Sequence, residues 1–570
     1  MGVKGRMSWT LKEKYREILS HEEGSCRKVW GDALTVCLAY PNAYRTGMSN
    51  LGFQTIYGLI NAVPGCLCER VFLPEPEDEA EFTRVDAALF SLESQRPLAD
   101  FDIVAFSLPF ENDYPNILKM LSMAGISLLS RERKEKEPLI LGGGIAVTLN
   151  PEPLADFFDL FILGEAEEAI AQFLGICTNA RNSGLGRKGL LFSLQKEIEG
   201  AYVPQLYTVS YRNNHLIENM APVSDQLPRR IKKRTVSDIN AFLTEQCIAT
   251  RDTELGKMFT SEVSRGCRRG CRFCAAGFVF RPARFRKAEF MQNSFLKALK
   301  KGKKIGLLGT AVSDHPEILS LCRFIRERGG GVAIGSLRLD KLNPELLKLL
   351  KEGGAETIAL APETGSLRLR NLIRKGITEE HIFRAVEMLT DAGIGNIRLY
   401  FMVGLPTEED EDIEAIIDLT KKIRHHADKH SQGMRSFKRI ILSINQFIPK
   451  AATPFQWHPL TDINTVKKRI KMINTAFRRE SSIRVIHDLP KWNYVQALLS
   501  LGDRRVSDIL LSVHHYGGNW PQALKEVNVN ADFYVYRRKE ISEILPWDLI
   551  DHGVSKAFLL REYLSSLAAG

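Results

Sequence analysis

Residues 265–277 read Arg265-Gly-Cys-Arg-Arg-Gly-Cys-Arg-Phe-Cys-Ala-Ala-Gly277, and their cysteines, Cys267, Cys271 and Cys274, decide how the rest of the chain is read. The spacing Cys-x3-Cys-x2-Cys puts three thiolates on one tight loop. Such a set suits an iron–sulfur cluster, which ordinarily takes four ligands. The loop offers no fourth cysteine, so one iron is left open to another ligand. A structural zinc site would close its tetrahedron with four protein ligands. The nearest histidine after the loop, His315, lies too far along for zinc-ribbon spacing. A disulfide framework is disfavoured too. Ten cysteines in 570 residues is ordinary usage, and the first residues lack the apolar stretch of a secretory signal.

With Phe273 just before the last cysteine, the loop resembles the cluster loop of radical S-adenosylmethionine enzymes. The resemblance implies that Cys267, Cys271 and Cys274 hold a [4Fe-4S] cluster and that Phe273 packs near the adenine of S-adenosylmethionine. The open iron would take the amino and carboxylate groups of that molecule. An electron from a flavodoxin- or ferredoxin-like donor would then split the sulfonium into methionine and a 5′-deoxyadenosyl radical. Gly266, Gly270 and Gly277 let backbone N–H groups approach the sulfurs, and such hydrogen bonds, with burial, tune the potential of a cluster.

Strands are expected at 259–264, 304–308, 331–335, 357–361, 396–403 and 439–445, with helices between them, as at 344–352 and 379–392. Six β/α units suggest the partial (β/α)6 barrel of the radical family, with function at the strand C-termini. Contacts to S-adenosylmethionine are expected there from Gly309 and Thr310, from Ser336 and Arg338, from Glu363 in Glu-Thr-Gly-Ser366, and from Gly404 in Met402-Val-Gly-Leu-Pro406.

Ahead of the barrel the same alternation runs from residue 33. Strands at 33–40, 102–107, 139–144 and 159–165, with helices at 51–61 and 116–124, argue for a doubly wound, flavodoxin-like parallel sheet. Ligands of such sheets bind at the carboxyl ends of strands, where Ser107, Gly142, Gly143, Gly144, Gly164 and Glu165 fall. The string Gly-Gly-Gly-Ile-Ala-Val-Thr-Leu-Asn-Pro-Glu-Pro resembles the cobalamin-binding domain that precedes many radical enzymes, and these six residues are the cobalamin contacts it implies. The usual Asp-x-His-x-x-Gly is missing, since Pro41–Gly52 holds no histidine. Any cobalamin would therefore lack a histidine lower ligand. A dinucleotide-binding reading is weaker, because Gly-x-Gly-x-x-Gly is absent from the first turn. Tyr40-Pro-Asn42, Gly47–Gly52, Phe280–Arg286 and Leu545–Lys556 resemble one largely uncharacterised bacterial group that fuses such a domain to a radical barrel.

The expected organisation is an N-terminal helical extension (1–29), the cobalamin-binding-type domain (30–177), a connector with a hairpin turning at Arg212–His215 (178–255), the radical barrel (256–458) and a mainly helical C-terminal domain (459–570). Hydrophobic residues at 44% and charged residues at 26% are those of a globular protein. No apolar run reaches membrane-spanning length, and free thiols beside a labile cluster fit the cytoplasm. The basic runs Arg229–Arg234 and Lys467–Lys471 read first as solvated surface and second as phosphate contacts. His425, His426 and His430, and the pair His514–His515, read as ordinary helix residues. Three functions remain open: cobalamin-dependent methylation of an unactivated carbon, cobalamin-independent radical chemistry on RNA or protein as in methylthiotransferases, and a non-enzymatic iron–sulfur RNA-binding or redox-sensing protein. Against the second, Cys37, Cys66 and Cys68 do not form a convincing additional cluster set.

Overall fold

The computed structural model describes residues 8–256, 258–432 and 436–569. The first seven residues of the expected extension lie outside them, and so do residues 257 and 433–435 of the expected barrel.

β1 (Leu34–Tyr40) is buried along its whole length, which a strand covered on both faces requires. It pairs in parallel with β2 (Cys66–Phe72) and β3 (Ile103–Ser107). β4 (Leu139–Gly143) and β5 (Leu160–Ile162) continue the parallel set, and β6 (Ala201–Tyr202) closes it antiparallel, in the order β2-β1-β3-β4-β5-β6. β2 was not read from the sequence. Its middle carries Glu69 and Arg70, which read as solvent-facing, yet both are buried. Arg70 donates to Glu22 (2.7 and 2.8 Å) and Glu93 (2.7 Å), and Glu69 accepts from Trp30, Ser91 and Ser94. Buried ions are tolerated when paired, as Arg70 is, or well hydrogen-bonded, as Glu69 is. β6 places the sheet edge beyond residue 177. Tyr202 there donates its hydroxyl to Glu152 inside the domain, so the connector hairpin starts later, as β7 (Tyr207–Tyr211) and β8 (Ile217–Pro222).

The short β9 (Ile231–Lys232) leads to β10 (Phe259–Arg265), the strand before the cysteines. β11 (Arg284–Phe285) flanks β10 antiparallel, and β12 (Ile305–Gly309) and β13 (Val332–Ile334) follow in parallel. β14 (Thr357–Glu363), β15 (Asn396–Val403) and β16 (Arg439–Gln446) form the next parallel group. A parallel bridge from Leu337 to Leu360 joins the two groups. The six expected strands thus line one partial barrel around a core of Leu307, Ile358, Leu399, Phe401 and Leu442. β17 (Ile483–His487) adds a further parallel strand beside β16. Its five residues hide between two helices, and Arg484 and His487 on it blur the apolar pattern. β18 (Ile550–Asp551) pairs with β9.

The C-terminal helices do not form a core of their own. Val495, Leu498, Ile509, Leu510 and Val535 share one buried cluster with Leu38 and Phe106 of the first sheet. Buried Glu111 fastens this contact by accepting from Lys450 (2.5 Å), Ser500 (2.8 Å) and Gln496 (3.0 Å). The last helix, Lys556–Ala569, packs with Trp457 and Trp547 against Met402, Leu405 and Phe447 at the barrel mouth.

Candidate active site

The strand ends of the two sheets face each other across a cavity of about 470 Å³. Ser107, the glycines 142–144, Gly164 and Glu165 come from the first sheet, and Ser264, Arg265, Gly309 and Thr310 from the barrel. The sequence placed Ser107, the glycines 142–144, Gly164 and Glu165 at the ends of one sheet and Gly309 and Thr310 at the end of a barrel strand; the fold brings them to one space.

The glycines of the first wall serve different purposes. A Cβ on Gly142 would strike the Phe161 ring at 2.6 Å, and one on Gly144 (φ +124°) the Leu108 carbonyl oxygen at 2.6 Å. A Cβ on Gly164 (φ +99°) would meet the Arg234 carbonyl oxygen at 2.2 Å. Chain packing therefore accounts for these three. Gly143 is the exception, since its added Cβ would meet nothing nearer than the Ile162 carbonyl oxygen at 3.8 Å. It leaves bare backbone beside the cavity. On the opposite wall the Ser264 hydroxyl is buried without a hydrogen-bond partner among the described residues.

Glu165 lines the cavity but its carboxylate is already taken. Arg284 donates to both oxygens (2.5 and 2.8 Å), Arg265 stands 3.2 Å away, and the Val236 N–H donates at 2.7 Å. Burial alone would raise this carboxyl; the Arg284 hydrogen bonds and the Arg265 charge outweigh it and hold the group below the ordinary carboxylate range. Arg265 also pairs with Glu167 (2.7 Å) and Glu262 (2.8 Å), and Arg286 with Glu262 (2.9 Å). Glu165 is therefore a seam residue that ties the first sheet to the barrel while it lines the cavity. Sequence reasoning passed over Arg265 although it adjoins Gly266 and Cys267, and over Arg284 and Arg286 except as a basic loop.

The cysteine loop is pinned on three sides. Arg269 reaches Asp340 (3.1 Å); Arg272 donates to the Leu372 carbonyl (2.7 Å) and Glu562 (3.1 Å); Arg281 donates to the Gly277 carbonyl (2.9 Å). The Gly277 N–H donates to the Cys274 carbonyl at 3.1 Å, and an added Cβ there would meet Cys274 Sγ only at an ordinary 3.6 Å, so packing does not demand a glycine at this position. Burial pushes the Cys274 thiol up to about 11 and raises Cys271, with Lys375 and Arg338 working against the Cys271 shift. A metal must displace these protons to bind. Among the described residues no three His, Cys, Asp or Glu side chains converge as the ligands of a single ion do; cluster ligands sit on separate irons and need not. Three soft thiols on a pinned loop are a donor set that fits a cluster. His315 gives both ring nitrogens to backbone, at the Arg286 carbonyl and the Glu317 N–H.

The remaining expected contacts divide. Phe273 packs in the same apolar cluster as Met402 and Leu405, so the loop and the end of β15 meet. Gly404 turns there with φ +84° and gives its N–H to buried Glu408 at 2.5 Å, which leaves its own donor occupied. Glu363, in the left-handed region at φ +70°, pairs with Lys375 (2.7 Å) beside Cys271. Ser336 is exposed. Arg338 does not present a free cation, because it donates twice to Asp340 (2.7 and 2.9 Å) and stands 3.5 Å from Asp314. His426 and His430 pair with Glu387 and Asp391 of the neighbouring helix. Cys37 and Cys68 are buried inside adjacent strands.

Comparison with known proteins places this architecture. Residues 52–204 match the family described as radical SAM proteins, N-terminal, and residues 261–420 the radical SAM superfamily. An uncharacterized protein of Methanocaldococcus jannaschii is 30% identical over 479 residues, 83% of this chain and 90% of the relative. The threonylcarbamoyladenosine tRNA methylthiotransferase of Aquifex aeolicus is 27% identical over 225 residues, 37% of this chain and 54% of that protein. Among solved structures, the radical S-adenosylmethionine methyltransferase TsrM of Kitasatospora setae, with cobalamin and a [4Fe-4S] cluster bound, aligns over 94% of this chain and all of its own, at 12% identity and a TM-score of 0.48. The chain belongs to the radical SAM superfamily, in the arrangement that sets an N-terminal domain before the radical barrel. Among the described residues no helix is long and apolar enough to cross a membrane.

Proposed function

We propose that this protein is a cobalamin-dependent radical enzyme that methylates an unactivated carbon, with Cys267, Cys271 and Cys274 holding the cluster and the seam cavity holding the corrinoid. When bound, the cluster and S-adenosylmethionine supply a 5′-deoxyadenosyl radical, and cobalamin supplies a transferable methyl group. The observation that carries the reading is the single cavity walled by Gly143 on one side and by Ser264, Gly309 and Thr310 on the other. Bare backbone at Gly143 suits a flat macrocycle, and the unpartnered Ser264 hydroxyl suits a polar edge. The loop after β1 lends Asn50, Leu51 and Gly52 to the lining, and these would hold a bound corrinoid without offering it an imidazole.

The chain's own residues then have definite tasks. The Glu165, Arg265 and Arg284 network fixes the distance between the walls. Phe273 and the turn at Gly404 shape the apolar side of the cofactor site. Glu363 and Lys375 set the charge beside Cys271. Reducing electrons come from a small flavodoxin- or ferredoxin-like donor. Anaerobic purification with added hydroxocobalamin tests the reading. It predicts corrinoid absorbance that survives gel filtration and 5′-deoxyadenosine formation with dithionite. Protein that stays free of corrinoid while still making 5′-deoxyadenosine would remove cobalamin from the account. The likeness to the Aquifex methylthiotransferase supports a second reading, sulfur insertion on RNA. Buried Cys37 and Cys68, committed to strand interiors, offer it little as ligands.

A further inference from the structure

The basic run Arg229–Arg234 does not lie on one solvated face. Arg234 pairs with Glu168 (3.2 Å) and Lys232 with Glu199 (3.2 Å), whereas Lys233 turns inward and is only 5% exposed. Its ammonium donates to the Thr235 hydroxyl at 2.7 Å, and among the described residues no carboxylate comes within ion-pair distance of it. Lys233 lines a groove of about 550 Å³ together with Lys232, Thr235, Arg268, Arg281 and Cys267. Arg281 stacks on Phe278 (4.7 Å) and Arg268 on Phe285 (5.4 Å), and neither makes an ion pair among the described residues. Four cations therefore share this lining with one carboxylate, Asp551, which already accepts from the Gly553 N–H.

Burying a cation without a counter-charge in contact is costly, and burial lowers the Lys233 pKa even though the more distant Glu165 and Asp551 act to raise it. An anion in the groove would reverse that cost. Lysine and arginine donors gathered from three segments suit a group with several acceptor oxygens better than one with two. The groove's size leaves room for the rest of a molecule attached to that group. The groove touches Cys267 and shares no lining residue with the seam cavity, so a molecule held there lies against the cysteine loop and apart from that cavity.

We propose that this groove binds a phosphoryl group carried by the molecule the enzyme modifies. Assigning the group to the substrate rests on the radical-enzyme reading; the anion site itself does not.

Inorganic pyrophosphate titrated calorimetrically into the anaerobically reconstituted full chain tests the site. Saturable binding is expected, weakened about tenfold or more in Lys233→Met, since a charge-assisted hydrogen bond is lost at a desolvated position. Methionine fills similar volume, and Lys233→Arg should restore most of the affinity. Arg268→Gln, at an exposed position, should weaken binding severalfold with no burden on folding. Iron counted on the same samples separates the two claims. Binding lost with iron retained supports the groove, while wild-type protein that binds pyrophosphate but holds no iron overturns the enzyme reading alone. An oligoribonucleotide that displaces pyrophosphate would mark the phosphoryl source as nucleic acid, and failure to displace would mark it as a phosphorylated small molecule. Absence of saturable binding to the wild type, or equal affinity in all the variants, overturns the site.

Discussion

Replacing Glu165 by glutamine tests the seam directly. The change keeps the shape of the side chain and removes the charge that Arg284 and Arg265 face. Arg265 keeps Glu167 and Glu262, so its loss is partial. Arg284 keeps only carbonyl acceptors at Val236, Phe280 and Pro282. Removing one partner of a buried pair costs about 3–5 kcal/mol, because the other charge stays buried. With Arg265 still compensated, the lower end, about 3 kcal/mol, is expected. Arg284→Met should cost about 2 kcal/mol, since Glu165 keeps Arg265 and the Val236 N–H. The double variant should cost less than the sum, with a coupling near 2 kcal/mol. Urea unfolding of the cofactor-free chain at neutral pH measures all three. The folded Glu165 carboxyl lies below its unfolded value of 4.5, so its contribution is present above that pH and fades as pH falls through the folded value. The coupling should accordingly vanish in acid. Additive effects, with coupling under about 0.5 kcal/mol, would refute the network. A Glu165→Gln chain that unfolds like the wild type but loses corrinoid would return Glu165 to the cofactor.

Gly143→Ala should leave unfolding within about 0.5 kcal/mol of the wild type, as expected away from packing clashes, yet weaken corrinoid binding measured by absorbance titration. Gly164→Ala should do the reverse, losing about 3 kcal/mol or more, because its Cβ would overlap the Arg234 carbonyl oxygen at a φ of +99°. Fully buried His552 bonds the Thr148 carbonyl, and burial lowers its pKa from 6.5 to about 4. The unfolded chain takes up this proton first, so stability falls as pH drops from 6.5 towards 4, by about 3 kcal/mol in all. Acid unfolding of His552→Gln followed by circular dichroism should lack that share of the pH slope, and an unchanged slope would remove His552 as its source.

Strands that alternate with helices were legible because strands buried on both faces need near-continuous apolar runs, as in Leu34–Tyr40, and half-covered ones alternate, as at the start of Asn396–Val403. β2 was hidden because Arg70 at its centre is neutralised by Glu22 and Glu93, which lie 48 and 23 residues away, and Glu69 beside it is held by Trp30, Ser91 and Ser94. No local pattern reports such a partner. The cysteine triplet was legible because cluster ligation demands fixed spacing on one loop. The strand-end glycines were legible as a group, yet only the three-dimensional contacts separate Gly143 from its neighbours. Arg338 shows the converse, since its motif invited a ligand role while Asp314 and Asp340, 24 residues or fewer away, occupy it. The C-terminal helices looked like a separate domain because their apolar faces do not state what they cover.

Iron and acid-labile sulfide counted in anaerobically reconstituted protein, for the wild type and for Cys267→Ala, Cys271→Ala and Cys274→Ala together, address the core of the account. About four irons and four sulfides per chain are expected in the wild type, and almost none in the triple variant. Zinc in place of iron, or an iron content that survives the triple replacement, would contradict it.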